Sequence, residues 1–416
     1  MAVELHSPIA AVSSAPAPVT IDDRLHTLDI LRGIALFGMI LVHFHQKMRI
    51  EVTGLEDLIG WGVWILVEQK AWGIFAFLFG VGFAVLLRRL EARHAPVVPI
   101  YLRRLAGLAV FGLIAQVGFG FHVLLEYAAW GLVLLLIRRW STPAVLATAA
   151  VAASARPVTA AVTALYGWWI GASSPALVSD PLGQAVEAAA QNADYPTLLS
   201  ARWALFVDRL PTGWHDLLPD TNLVLFCLGL LAVRHGILDQ PLRYRRLIIG
   251  WMVFGALAWA AHWLVLRNLP ELPIAGATWP LYQGLGLLNE QWLCLSYIGA
   301  VVLLLAYRPV WIRRLRAFGS AGRMALTNYM LQVAVLDALA SAYGLQLKLR
   351  PAAYVLAAVL LFSAQAAFSS AWLTRHCFGP LEWLWRMITY ARPQPLRRAG
   401  SEQLGPVVSQ NEAKRT

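Results

Sequence analysis

Apolar residues in this chain gather into runs of the length needed to cross a hydrocarbon core, which takes about 20 helical residues for about 30 Å. Ten such runs can be drawn, at 28–47, 71–88, 105–120, 121–137, 143–172, 221–234, 247–266, 281–306, 324–343 and 352–374. They predict an all-α, polytopic membrane helix bundle with about ten transmembrane helices. Two stretches fit less simply. Leu58 to Val67 is apolar but too short to span, and Glu56, Asp57, Glu68 and Lys70 flank it, so it reads as a helix lying on the outer face. The run 143–172 is rich in alanine and holds Arg156 and Pro157 near its middle. It is either a span whose arginine faces the bundle or a surface helix followed by a short span.

Charge orients the runs. Alternate loops carry Arg88, Arg89, Arg93, Arg103 and Arg104, then Arg138 and Arg139, then Arg234, Arg243, Arg245 and Arg246, then Arg308, Arg313, Arg314, Arg316 and Arg323. The loops between them are poor in Lys and Arg. Basic loops stay in the cytoplasm, so both termini are expected inside. The long segment 173–220 sets Asp180, Glu187, Asp194, Asp208, Asp216 and Asp220 against Arg202 and Arg209, and falls outside.

The expected organisation is a disordered cytoplasmic tail at 1–21, a first transmembrane half at 22–172, an extracytoplasmic segment at 173–220 and a second transmembrane half at 221–376. An interfacial helix at 377–391 and a second tail at 392–416 follow. In the interfacial helix, Leu381, Leu384, Trp385 and Ile388 share one face, while Glu382 and Arg386 pair one turn apart on another.

Composition sharpens the class. The chain is 59% apolar and 14% charged, and its mean hydropathy is +0.59, which excludes an ordinary soluble domain. Its 18 Trp and 12 Tyr suit two membrane interfaces, and Trp61, Trp64, Trp140, Trp168, Trp169 and Tyr307 lie at the ends of runs. The net charge of +11 is a topology signal rather than a nucleic-acid footprint, because the basic residues fall in short loops. Cys227, Cys294 and Cys377 are too far apart to make a metal-ligand motif, so no metal site is expected.

Candidate chemistry centres on Leu28-Asp-Ile-Leu-Arg-Gly-Ile-Ala-Leu-Phe-Gly-Met-Ile-Leu-Val-His-Phe-His45. Thr27 is placed to cap a helix with Asp29 in its first turn and Arg32 within reach of Asp29, and Gly33 and Gly38 allow a close neighbour. His43 follows Arg32 by eleven residues, about 16 Å along a helix, in the outer half of the membrane. A neutral imidazole there can take a proton from a hydroxyl, although a histidine bonded within the bundle or lying at the interface is the plainer reading. His122 and Glu126, Glu290, and Asp337 map to the same half and together outline an outward-opening polar cavity. Arg103 and Arg104 open the third span on the inner side. They can hold donor phosphates or simply act as topology determinants.

The opening Arg24-Leu-His-Thr-Leu-Asp-Ile-Leu-Arg-Gly-Ile-Ala-Leu36, Phe77-Leu-Phe-Gly-Val-Gly-Phe83, Tyr101-Leu-Arg-Arg104, Gly322-Arg-Met-Ala-Leu-Thr-Asn-Tyr-Met-Leu-Gln332 and Phe378-Gly-Pro-Leu-Glu-Trp-Leu-Trp-Arg386 resemble the YeiB-like bacterial membrane proteins. Their C-terminal half is called domain of unknown function 418. The family looks distantly related to membrane acyltransferases, including the heparan-type glucosaminide N-acetyltransferases. The first helix is also similar to that of the acyltransferase-3 family, where Leu-Arg-Gly-Ile-Ala leads to an essential histidine at the spacing of Leu31 to His43. Two departures stand out. YeiB-like proteins often have asparagine where His43 stands. They typically carry a histidine in the third span and Gly-Asp-Ile-Leu in the fourth, against Ala115-Gln116 and Phe121-His-Val-Leu124 here.

The resemblance implies a multi-pass protein of the bacterial cytoplasmic (inner) membrane that transfers an acyl group from a cytoplasmic acyl thioester to an extracytoplasmic or lipid acceptor, a small molecule or a glycolipid. His43, Glu126 and His122 are then the catalytic candidates. Arg32, Arg103, Arg104, Glu290, Asn328 and Asp337 are the substrate-binding ones. No bound cofactor is expected beyond acyl-coenzyme A as donor substrate. The lipid bilayer is the expected partner, nucleic acid is not, and an oligomer is open. A transporter of a small amphiphilic molecule is the rival, although no repeat or broken helix pair announces alternating access. A third reading is a non-catalytic partner whose segment 173–220 binds another protein.

Overall fold

The computed structural model describes residues 21–169, 180–211, 222–268 and 275–398, and among them the chain is helical, with only isolated β-bridges such as Arg49 to Leu349. The two expected tails, apart from Ile21 and the stretch 392–398, and the side chain of Arg156 lie outside the described residues. Among the described residues, six helical segments are long and apolar enough to cross a membrane: His26–Met48, Leu55–Ala92, Val97–Gly118, Arg245–Leu264, Asn289–Tyr307 and Pro351–Arg375. Val123–Ile137, Asn222–Arg234 and Ala325–Ala340 are shorter apolar helices.

In chain order the helices are α1 (Ile21–Met48), α2 (Leu55–Leu66), α3 (Lys70–Ala92), α4 (Val97–Leu113), α5 (Val123–Ile137), α6 (Thr142–Trp169), α7 (Pro181–Asn192) and α8 (Tyr195–Arg209). Then follow α9 (Asn222–Arg234), α10 (Arg245–Asn268), α11 (Ala275–Tyr307), α12 (Val310–Arg314), α13 (Arg316–Arg323), α14 (Ala325–Ala340), α15 (Pro351–Arg375) and α16 (Pro380–Tyr390). Helix α1 begins before Thr27, so the cap expected at Thr27 and the first-turn position expected for Asp29 are interior ones, while the Asp29 to Arg32 pair forms at 2.6 Å. Helix α4 also starts earlier than expected and carries Arg103 and Arg104 within it rather than before it. Helix α6 runs unbroken through Pro157. The apolar stretch after Glu56 is a separate helix, α2, with Leu58, Trp61 and Trp64 exposed, as a helix lying on a membrane face would be.

Helix α1 is central, in contact with α3, α13, α14 and α15, and α3 packs on α9. Small residues set both tight crossings. A methyl group on Gly33 would overlap the Phe318 carbonyl, and one on Gly322 the Asp29 carbonyl, so α1 and α13 approach backbone to backbone. Gly80 and Gly229 play the same reciprocal part between α3 and α9. Outward faces are apolar: Leu247, Val253, Phe254 and Leu257 of α10 and Leu356, Leu360 and Phe368 of α15 are exposed, which suits lipid rather than water.

At the end of the bundle that carries Arg32, Arg103 and Arg104, α16 is fastened to the neighbouring helices α4 and α14. Glu382 does not pair with Arg386. It accepts from the backbone N–H groups of Leu326 (2.6 Å) and Thr327 (3.0 Å) and from the Thr327 hydroxyl (2.6 Å), so it caps α14 across the helix gap. Arg386 instead lies over the rings of Phe378 and Tyr390. The apolar face is also shared differently from the amphipathic pattern: Trp385 packs at Gly107 of α4 and donates to the Arg104 carbonyl at 2.8 Å. Leu384 and Ile388 keep an outward component.

Each buried donor left without a partner costs about 1–3 kcal/mol. Glu382→Ala should therefore lower unfolding stability in detergent by about 2 kcal/mol or more, and a variant as stable as wild type would show the cap to be idle. Burial pushes the Glu382 carboxyl above the usual carboxylate range, against the pull of its Thr327 bonds. The folded state then holds a proton more readily than the unfolded one, so this group loses stability as pH rises from the ordinary value through the raised one. Glu382→Gln should remove that slope.

Candidate functional site

His43 lies near the far end of α1, 1% exposed, and its ring centroid is 4.4 Å from that of Phe121. Its Nδ1 has no hydrogen-bond partner among the described residues. A buried polar atom left in that state calls for a structural or functional cause. Local geometry explains how the two rings meet. Helix α4 closes in a π-turn, Ile114–Gly118, and the chain then reverses through Gly120 at φ 77°, a left-handed conformation glycine adopts freely. That reversal sets Phe121 against α1 and His122 at the start of α5. π-turns often occur at functional sites.

Further groups gather around the same point. His122 Nε2 lies 3.3 Å from Glu126 Oε1. His122 and Lys47 are the charged neighbours whose fields reach His43, and Glu126 is within electrostatic reach of the buried Tyr329 hydroxyl. Lys47, one turn beyond His43, stands 5.5 Å from the centroid of the Phe121 ring. The three catalytic candidates are thus brought to one region of the bundle.

Asp337 borders that region but is fully engaged. Arg202 of α8, 5% exposed, reaches into the bundle and donates to both oxygens of Asp337, at 2.9 and 2.6 Å. The same guanidinium donates to the Gly118 carbonyl at 2.8 Å, which also accepts from the Tyr195 hydroxyl at 3.2 Å. Ser341 and Tyr343 hydroxyls complete the Asp337 shell at 3.2 and 3.0 Å. Asp337 therefore fastens the segment holding α7 and α8 to the end of the π-turn.

Glu290 belongs to a different corner, paired with the buried Lys70 across the α3–α11 contact. Arg32, Arg103 and Arg104 sit at the opposite end of the bundle from His43. Arg32 is tied to Asp29, Arg103 donates to the Thr389 carbonyl at 3.1 Å, and Arg104 stacks 3.8 Å from the Trp385 ring within reach of the charges of Arg32 and Arg386. Asn328 donates to Ala321 and Ser369, but its Oδ1 is unpartnered among the described residues, as are the Tyr329 hydroxyl and both amide atoms of Gln332. These three residues, within little more than one turn of α14, form a buried polar row beside α1, between the arginine end and His43. Lys47, Phe121, Gln332 and Arg202 received no site role from the sequence. Lys47 alone offered a signal, its one-turn spacing from His43.

Comparison with known proteins places these elements. The catalytic-domain family of heparan-alpha-glucosaminide N-acetyltransferase matches residues 24–181, which include His43, His122 and Glu126. The family of unknown function DUF418 matches residues 232–392. The uncharacterized protein YxaH of Bacillus subtilis (strain 168) is 30% identical over 427 residues, covering 92% of this chain and 99% of its own. The chain belongs to the YeiB-like DUF418 family. An uncharacterized 39.9 kDa protein of Bacillus acidopullulyticus, encoded in an amylase 3′ region, is 28% identical over 91% of this chain and 97% of its own. YeiB of Escherichia coli (strain K12) itself is 37% identical over 84 residues, 20% of each chain. No solved structure matches. Within this YeiB-like architecture, the N-acetyltransferase match covers α1 to α6 and the DUF418 match begins at the end of α9 and closes on α16.

Proposed function

We propose that the protein is a membrane acyltransferase in which His43 serves an acceptor at one membrane face and the Arg104 region serves an acyl thioester at the other. The observation that carries this reading is His43 itself, buried, unpartnered at Nδ1 among the described residues and set within the stretch that matches the N-acetyltransferase catalytic family. The end of the bundle bearing Arg32, Arg103 and Arg104 is taken as cytoplasmic on the positive-inside rule, with both termini there and about ten spans in all.

In the reaction, His43 takes the proton of an acceptor hydroxyl or amine as it attacks the thioester carbonyl. The carbon–sulfur bond breaks, the acyl group passes to the acceptor, and the proton passes to the departing thiolate. In the covalent variant the imidazole carries the acyl group between the two steps. Arg104 and Arg32 offer guanidinium groups for donor phosphates. About 16 Å of α1 separates Arg32 from His43, a gap suited to the extended pantetheine arm of a coenzyme A thioester. The unpartnered atoms of Asn328, Tyr329 and Gln332 are where the amides of such an arm would find partners. A transporter would use the same polar row as a passage.

The deciding experiment incubates membranes containing the protein with labelled acyl-coenzyme A and looks for label on lipid, glycan or small hydroxylated acceptors. Substrate movement across vesicles without incorporation would overturn the enzyme in favour of the transporter. Reporter fusions should place the N-terminus, residue 95, residue 240 and the C-terminus inside and residue 200 outside. An inside location for residue 200 would overturn the assignment of the two ends.

A further inference from the structure

We infer that Lys47 is an anion subsite beside His43, so that the acceptor is a phosphorylated or carboxylated alcohol or amine. The inference rests on the acyltransferase reading and names its substrate class. Lys47 is exposed, and no carboxylate lies within ion-pair distance of its ammonium among the described residues; its ammonium lies over the face of Phe121, the ring His43 also packs against. The charges within its electrostatic reach are Arg202 and Lys348, both positive, and Asp337 and Glu187. Asp337 is neutralised by Arg202, so the local balance is left positive by Lys47 and Lys348 against Glu187. Elsewhere near the same end of α1, the guanidiniums are already matched. In the cleft of about 800 Å³ rimmed by Trp61, Arg49 pairs with Asp57 and Arg350 with Glu56.

His43 supplies the second half of the site, a buried imidazole with an unused nitrogen. One helical turn separates the two residues, about 6 Å along the axis. Both side chains meet the Phe121 ring, so a ligand that places an anion on Lys47 brings a neighbouring group to His43, as a phosphate brings a hydroxyl two or three atoms removed. Glycerol phosphates and sugar phosphates have that shape, whether free or as a lipid headgroup.

The test uses the full-length protein in dodecyl maltoside micelles, which contain no phosphate, titrated calorimetrically with glycerol 3-phosphate and with glycerol. Wild type should bind the phosphate and not glycerol. Lys47→Gln should weaken binding by about 10-fold or more, Lys47→Arg should retain it, and His43→Ala should retain it while losing acyl transfer. Suppression of binding by phosphatidylglycerol added to the micelles would support the inference and assign the lipid as the source. Binding unaffected by that lipid would support it with a soluble phosphate ester. Absence of binding by wild type, equal affinity for glycerol, or undiminished affinity in Lys47→Gln would overturn it. Phosphate binding through Lys47 with no acyl product would leave the subsite standing and remove the acyl-transfer reading. Full-rate acylation of a neutral acceptor by Lys47→Gln would do the reverse.

Discussion

His43→Ala is expected to leave the protein inserted and folded while lowering acyl transfer by about 10²- to 10⁴-fold, the contribution general-base catalysis supplies. Folding should survive because the substitution removes a group whose Nδ1 already lacks a partner and leaves the basic loops that set topology unchanged. The surrounding apolar wall of Met39, Ile40, Phe44 and Phe121 belongs to one packed cluster and does not depend on the imidazole for a hydrogen bond. The measurement compares label incorporated from acyl-coenzyme A by wild-type and His43→Ala membranes at matched protein level. Equal incorporation would remove His43 from the mechanism. A fall in protein level matching the fall in activity would assign the residue a packing role instead.

The pattern of apolar runs was enough to anticipate an all-helical membrane architecture, because a helix satisfies its own backbone and its apolar length is local information. Gly33 and Gly38 were legible for the same reason: a missing side chain marks a close approach, and Phe318 and Ala71 occupy those places. What escaped was set by partners distant in sequence. Glu382 and Arg386 have the spacing of a helical ion pair, yet the N-terminus of α14, more than fifty residues earlier, offers the carboxylate three donors at once and wins. Thr27 has the chemistry of a cap, but α1 continues past it toward its own N-terminus. The grouping of His43, His122 and Glu126 depended on a π-turn and a glycine at positive φ, neither of which has an apolar period to announce it.

Arg202 shows the largest such effect, since along the chain it read only as a stray positive charge in an acidic segment. Either Arg202→Ala or Asp337→Ala should destabilise the protein by about 3–5 kcal/mol, the cost of leaving one buried charge without its partner. The pair is 5% and 3% exposed and bidentate, so neither partner can turn to water for compensation. Replacing both, as Arg202→Met with Asp337→Leu, should recover most of the loss, because the desolvation of two charges disappears together with their attraction. Unfolding in detergent, followed by tryptophan fluorescence across the double-mutant cycle, measures the coupling. Single variants that each cost less than about 0.5 kcal/mol would mean the pair behaves as a surface contact and would sink the fastening role. The consequence reaches His43. Arg202 holds the Gly118 carbonyl at the end of the π-turn, and the next few residues carry Phe121. Loss of the pair should therefore loosen the Phe121 wall and lower activity even at temperatures where the bundle stays folded, whereas the Met/Leu double variant, stable but without the Gly118 bond, should remain impaired. A double variant with full activity would separate the segment's anchorage from the site.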